Sequence, residues 1–201
     1  MYRYSVIVVT ILFLSCCIKK DTFDNEVLTV TPEVELIDTL VNCDNLSSIL
    51  EEVYSSDQAN RSHGIECFDK KVDTDNLRLV ISIIENCQPA SGSFSRDEIG
   101  VIWLVLQHSD LKYATEYFDL LVDHTNFGLL DRLSLLMMLD RILLSRGAPQ
   151  EYGTQVCKDK DTGEWDLCKP YNLDSIKMNR AEAGFMPIEE YVEHWGIVFE
   201  D

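Results

Sequence analysis

Between residues 44 and 146 the apolar side chains recur three and four positions apart, a spacing that commits this part of the chain to helices packed on a shared core. Leu46, Ile49, Leu50 and Val53 form the first stripe, with Asp44 placed as its N-cap. The next turn puts Asp57 on the same face, and Arg61, four residues on, is within reach of an ion pair with it. A second helix is expected from Asp75 to Cys87, with Leu77, Val80, Ile81 and Ile84 inward and Arg78, Ser82 and Glu85 outward. Ser95 and Glu98 make a capping box for a third helix. Its run Ile99 to Leu106 is apolar on every side apart from Gly100, which marks it as the buried central helix, and it ends in Gln107-His108-Ser109-Asp110.

Two more helices follow, about Tyr113 to His124 and Leu130 to Arg146, the second closed by Gly147 and Pro149. On the second, Asp140 interrupts the stripe of Leu133, Leu136, Met137, Leu143 and Leu144. Taking an unpaired carboxylate out of water costs several kcal/mol, so Asp140 needs a partner: Arg141, Arg61 or a backbone amide. Beyond the helices, 150–169 reads as a hairpin, Asn179 to Ala183 as a short helix ended by Gly184, and Pro187 to Trp195 as a last helical segment. The expected fold is mainly α, a helical bundle or array with a small C-terminal β-hairpin. With no internal repeat visible, a solenoid of copied units is disfavoured.

A hydrophobic content of 46% over 201 residues is enough for one cored domain. The formal charge of -18, from 35 acidic against 17 basic residues, repels phosphate backbones, and nucleic acid is excluded as a partner.

The first twenty residues have a character of their own. Arg3 and the amino terminus form a small positive region, Val6 to Leu14 is apolar except for Thr10, and Ser15-Cys16-Cys17 follows. The apolar run is too short for a spanning helix, so residues 1–15 are read as a signal peptide. Phe13-Leu14-Ser15-Cys16 resembles the lipobox of bacterial lipoproteins, with Cys16 as the lipidated residue and Cys17 as the alternative. That implies an envelope protein held to the membrane by its N-terminal lipid and facing the periplasm or cell exterior. Residues 16–43 are then tether and lead-in, 44–195 the helical domain, and 196–201 a tail.

An envelope address permits disulfides. Beyond the first two cysteines lie Cys43, Cys67, Cys87, Cys157 and Cys168. Cys157 and Cys168 flank Asp159-Lys160-Asp161-Thr162-Gly163, a hairpin turn that could set them face to face; the alternative is a pair of free buried thiols. No spacing reads as a zinc site.

Four polar segments stand out: Asp57-Gln58-x-x-Arg61, Gln107-His108-Ser109-Asp110, Asp140-Arg141, and Gln150-x-Tyr152-Gly153-Thr154-Gln155. In this order, with Arg180, Gly184 and Tyr191 downstream, they resemble an uncharacterised bacterial family, domain-of-unknown-function family 6624, over roughly residues 45 to 195. The most specific part runs from Asp140-Arg141 to Gln155, and the chain departs from the family pattern at Gln88 to Ser95 and in its hairpin cysteines. The resemblance implies secreted or anchored proteins with no assigned activity.

Each segment sets hydrogen-bonding side chains at the inner end of an apolar helix or in the loop leaving it. The economical arrangement is one network linking Asp57, Arg61, Gln107, His108, Asp140, Arg141, Gln150 and Gln155. Closed, that network fixes helix register and the docking of the hairpin; open on one side, it lines a cleft for a small polar ligand, with Gln58, Tyr152 and Arg180 contributing. A binding or interaction module, for such a ligand or for an envelope protein, leads. The alternative is a hydrolase-like enzyme in which Asp110 or Asp140 holds His108 as general base and Arg61 or Arg141 stabilises developing charge. Thr154 is a nucleophile candidate by location alone. A metal on His108, Asp110 and Asp140 lacks a spacing signature, so neither metal nor cofactor is expected. His63, His124 and His194 are expected to face solvent, and Trp103, Trp165 and Trp195 to pack in the core or hairpin.

Overall fold

The chain enters its first helix through a tight turn at Cys43–Asn45, where the Asn42 side chain accepts from the Asp44 amide at 3.1 Å. Asn42 is therefore the cap in place of Asp44: the added turn moves the first orphan amide upstream. The computed structural model describes residues 41–62, 69–87, 94–159 and 162–199. The expected signal peptide, Cys16, Cys17, the expected tether up to residue 40, His63, Cys67 and residues 88–93 lie outside the described residues.

Helix α1 spans Leu46–Ser62 and buries Leu46, Leu50, Val53, Asp57 and Arg61, so its inner stripe passes from apolar to charged without changing face. Helix α2 spans Lys70–Asn86 and starts more than a turn before the expected Asp75, because Asp69 caps it by accepting from the Lys71 amide at 2.8 Å. Its first turn buries no apolar side chain, so periodicity does not reveal it. Ser82, expected outward, is buried: α2 packs on both α1 and α3, which widens its covered arc beyond one stripe. Helix α3, Arg96–His108, begins at the capping box of Ser95 and Glu98 and buries Ile99, Ile102, Trp103, Val105 and Leu106.

The expected 113–124 helix divides into α4, Leu111–Glu116, and α5, Phe118–Asn126. The break is at Tyr117, whose hydroxyl donates to Glu85 on α2 at 3.0 Å. Asp131 caps α6, Arg132–Ser145, through the amides of Leu133 and Ser134. These six helices enclose one core, with Val80, Ile83, Ile99, Ile102, Leu106, Leu121 and Met138 at its centre.

A second, smaller core follows. Strands β1, Val156–Lys158, and β2, Trp165–Leu167, pair antiparallel with Val156 opposite Leu167 and Lys158 opposite Trp165. Helix α7 covers Leu173–Ala183, longer than expected because Asn172 caps it through the Ser175 amide. It ends at Gly184 (φ 74°), and α8, Ile188–Val192, follows. Leu167, Ile176, Ile188 and Val192 form this core together with Ile197, and Phe199 packs against it, so Ile197 and Phe199, expected in a tail, take part in the fold.

Among the described residues two disulfides close the structure: Cys157–Cys168, with Cα atoms 4.9 Å apart, and Cys43–Cys87, with Cα atoms 5.4 Å apart. The first is one of the two states left open by the hairpin spacing. The second has no local signal, since 44 residues separate its ends. Among the described residues no helix is long and apolar enough to cross a membrane.

Candidate functional site

The first polar centre is built by α1, α2 and α3. Continuation of the α1 stripe by whole turns carries Asp57 and Arg61 inward, where Arg61 Nη2 lies 3.0 Å from Asp57 Oδ1, the expected ion pair. The same Nη2 bonds both oxygens of Asp73, at 3.1 and 3.0 Å, and Arg61 Nε donates to His108 Nδ1 at 2.8 Å. His108 is the last residue of α3, so its ring reaches back over the end of α1. Gln58 donates to Asp57 Oδ2, and Asn60 donates to Asp73 Oδ1 and to the Asp69 carbonyl, tying the helix ends together.

Exposure grades outward across this centre: the side chains of Asp57, Arg61, Asp73 and His108 are 2, 5, 16 and 23% exposed. Burial pushes the Asp57 carboxyl up, but His108 and the Arg61 guanidinium outweigh it and hold the group below the usual carboxylate range. His108 Nε2 has no protein partner among the described residues. The buried Gln107 Oε1 is likewise without one.

Two expectations change here. The carboxylate beside His108 is Asp57, with Oδ1 at 3.0 Å from Nδ1, and neither Asp110 nor Asp140. Asp110 is exposed at the start of α4 and makes no side-chain cap bond, because the chain turns outward after Ser109. Asp73 was not among the candidates: it sits in the polar first turn of α2, where no apolar neighbour marks the inner face.

The second centre joins α6 to the hairpin. Asp140 is completely buried, and its carboxylate accepts from the amides of Glu151 (2.7 Å), Tyr152 (3.1 Å) and Thr154 (2.9 Å) and from the Thr154 hydroxyl (2.9 Å). The 151–154 backbone thus wraps the anion as a nest of N–H groups. Gly153 permits the wrap with φ 63°, and a Cβ there would lie 2.9 Å from Ile188 Cδ1. Gln155 donates to the Met137 carbonyl, and Gln150 spans Gln155 and Cys168, fastening the hairpin base to α6. Arg180, also buried, donates to the Tyr152 and Met186 carbonyls and lies over the Tyr191 ring at 4.7 Å. The Tyr191 hydroxyl in turn donates to the Thr154 carbonyl.

Of the three partners open to Asp140, the structure uses backbone amides. All of its hydrogen bonds go to residues 151–154, so it does not meet Arg61 or His108, and the single network drawn from the sequence is two centres. Arg141 spans the space between them: its Nη2 donates to the Ser109 carbonyl, one residue beyond His108. Gln150, Tyr152, Gln155 and Arg180 therefore belong to the hairpin centre and Gln58 to the His108 centre, whereas the Gln107 side-chain oxygen is bonded to neither. Thr154 is sealed against Asp140 and offers no accessible hydroxyl.

His124 was expected in solvent but is buried, with Nδ1 on the Leu120 carbonyl at 2.8 Å and its ring against Phe94. His194 is exposed, and Trp103 packs in the core with Nε1 on the Ser134 carbonyl. Two shallow clefts are lined by described residues. One, of about 410 Å³, lies at residues 43–48 and Glu98; the other, of about 830 Å³, lies between the hairpin, Tyr171 and residues 195–199. Neither is lined by His108 or Asp140. Among the described residues no group of three or more histidine, cysteine, aspartate or glutamate side chains is arranged to hold a metal ion.

Neither a curated protein nor a solved structure matches the chain. A family model does, over residues 48–199, a span that takes in both polar centres and both cores. With well over half of its length covered, the chain belongs to the family of unknown function DUF6624.

Proposed function

We propose that this chain is a lipid-anchored protein of the bacterial cell envelope whose helical domain is a binding or interaction module for a small polar ligand or an envelope partner. The observation that carries the reading is the pair of disulfides, Cys43–Cys87 and Cys157–Cys168. Such bonds persist in oxidising compartments and are rare in the cytosol, and a lipobox cysteine at position 16 would deliver the domain to such a compartment. Binding is favoured over catalysis because the most deeply buried carboxylate, Asp140, is occupied by backbone amides and the Thr154 hydroxyl. What it leaves for a ligand is the half-open His108 centre.

The anchor is tested by expressing the full chain in a bacterial host supplied with an alkynyl palmitate. Label is expected on the wild type, lost in Cys16→Ala and kept in Cys17→Ala; the reverse pattern moves the anchor to Cys17. An unlabelled wild type, or full labelling of the double variant, refutes anchoring.

One observation favours a hydrolase-like enzyme as a second reading: His108 combines a carboxylate 3.0 Å away with a ring 23% exposed and an arginine bonded to it. There His108 acts on the substrate with Asp57 behind it, and Arg61 or Arg141 stabilises developing charge. Hydrolysis of small esters or phosphate esters by the wild type, lost in a folded His108→Gln, would support this reading; equal rates in the two proteins would exclude it.

A further inference from the structure

Four aromatic side chains, Trp165, Tyr171, Trp195 and Phe199, line the larger cleft, and all four are half-buried. Each packs against the second core and keeps part of its surface outside it. Half-covered rings gathered at one place mark a contact surface rather than scattered surface apolarity.

Three carboxylates share the same walls, those of Asp159, Glu164 and Asp166, and no lining residue is basic. Asp159 is engaged by the hairpin turn, where it accepts from the Thr162 amide at 2.8 Å. Asp166 Oδ1 accepts from the Tyr171 hydroxyl at 3.3 Å, which ties one carboxylate to one ring. Glu164 is exposed, and its carboxylate has no protein partner among the described residues.

The chain's own lysines show what these walls attract. Lys158 stands opposite Trp165 in the hairpin register, and its Nζ lies 5.8 Å from the centre of that ring. Lys169 Nζ lies 3.3 Å from Asp166 Oδ2. Both lysines are exposed, so these contacts are weak and readily replaced.

An aromatic face attracts a cation through its quadrupole and a carboxylate attracts it through charge, so a cation on an apolar body uses both kinds of wall. A metal ion fits less well, because it needs several converging oxygens, and among the described residues no such group is arranged to hold one. Anions are repelled by the carboxylates. At about 830 Å³ the cleft has the size of a small-molecule site.

We propose that this cleft binds a small organic cation, an ammonium group carried on an apolar body. The ammonium takes the place of Lys158 over Trp165, beside Glu164 and Asp166, and the apolar part lies against Trp195, Ile197 and Phe199. The site is separate from the His108 centre, which does not line it.

The test is NMR of the full chain with ¹⁵N-labelled tryptophan at fixed ionic strength. One titration uses choline, and the other uses the neutral alcohol in which a quaternary carbon replaces the choline nitrogen. The chain has three tryptophans, and their indole signals are assigned by replacing each with phenylalanine. Choline should move the Trp165 and Trp195 signals with a Kd on the order of millimolar. Trp103, whose Nε1 is bonded to the Ser134 carbonyl inside the larger core, should stay in place and reports that each variant is folded. The neutral alcohol should bind at least about tenfold more weakly. Glu164→Gln combined with Asp166→Asn should weaken choline binding about tenfold, whereas Lys158→Met should tighten it about threefold. Equal affinity for the alcohol, unchanged affinity in the double carboxylate variant, weaker binding in Lys158→Met, or no shift at about 50 mM choline overturns the proposal. Failure of palmitate labelling or of hydrolysis at His108 would leave these readouts untouched.

Discussion

Replacing Asp140 by asparagine keeps the shape of the side chain and removes only its charge and one acceptor oxygen. Four donors converge on the carboxylate: three backbone amides and the Thr154 hydroxyl. The asparagine oxygen can retain the Glu151 and Tyr152 amides, and the Thr154 hydroxyl can rotate to accept. The Thr154 amide, however, is left facing an NH₂ group in a site without solvent. One stranded buried donor costs about 1–3 kcal/mol, and each retained bond loses roughly 1 kcal/mol of charge assistance, so the variant should be destabilised by about 4 kcal/mol. At about 2–4 °C per kcal/mol for a domain of this size, Tm should fall by roughly 10 °C. Urea unfolding by circular dichroism measures the first quantity and a thermal scan the second, with Asp110→Asn as an exposed control expected within about 0.5 kcal/mol of wild type. A loss below about 1 kcal/mol in Asp140→Asn would mean that the 151–154 amides are satisfied without the carboxylate, and the account of this centre would be wrong.

Gly153→Ala should destabilise by about 2–4 kcal/mol in the same urea assay, since it combines a positive φ with a Cβ 2.9 Å from Ile188; a neutral outcome would show that α8 moves aside freely. Cys43→Ser with Cys87→Ser should cost up to about 4 kcal/mol from the 44-residue loop alone, and the equivalent change at Cys157 and Cys168, closing 11, up to about 3. Urea midpoints that order the pairs the other way would contradict the loop-length reasoning. Because Asp57 is held below its ordinary value of 3.8, its contribution to stability is complete above that pH and disappears as pH falls through the lower folded-state value. Asp57→Asn should therefore flatten stability against pH below about pH 4, and an unchanged acid limb would argue that Asp57 is not held by His108 and Arg61.

Local chemistry in the sequence reports the fold well wherever a cap or a stripe is self-contained. Ser95 and Glu98 announced α3 because both halves of the capping box lie within four residues. The start of α2 is less legible: Asp69 caps it, but the residues of its first turn are exposed or half-buried, so the buried apolar stripe begins only at Leu77. For the same reason no local pattern marks Asp73, whose partner is Arg61 on the preceding helix. That Asp140 must be paired follows from its place on an apolar face. Which donor it meets depends on how a loop 11 to 14 residues away folds back, and the sequence carries no period for that. Linking every buried polar group into one network was an argument from economy. Burial requires each group to have a partner, but does not require the partners to be shared. His124 reads as polar because Asp123 and Thr125 flank it, yet a helix turns adjacent residues to different sides, and its ring lies inward against Phe94.

The Cys43–Cys87 bond also bears on how the domain would carry mechanical load. Cys43 sits just ahead of α1 and Cys87 just behind α2, while Arg61 and Asp73 meet at the opposite ends of those helices, so the pair runs antiparallel inside a loop closed through sulfur. Tension arriving along the chain from upstream of residue 43 would reach this closed loop and could not peel α1 away from α2 one turn at a time. The pull would pass across the bridge to residue 87 and onward, leaving the first helical hairpin outside the path of the load.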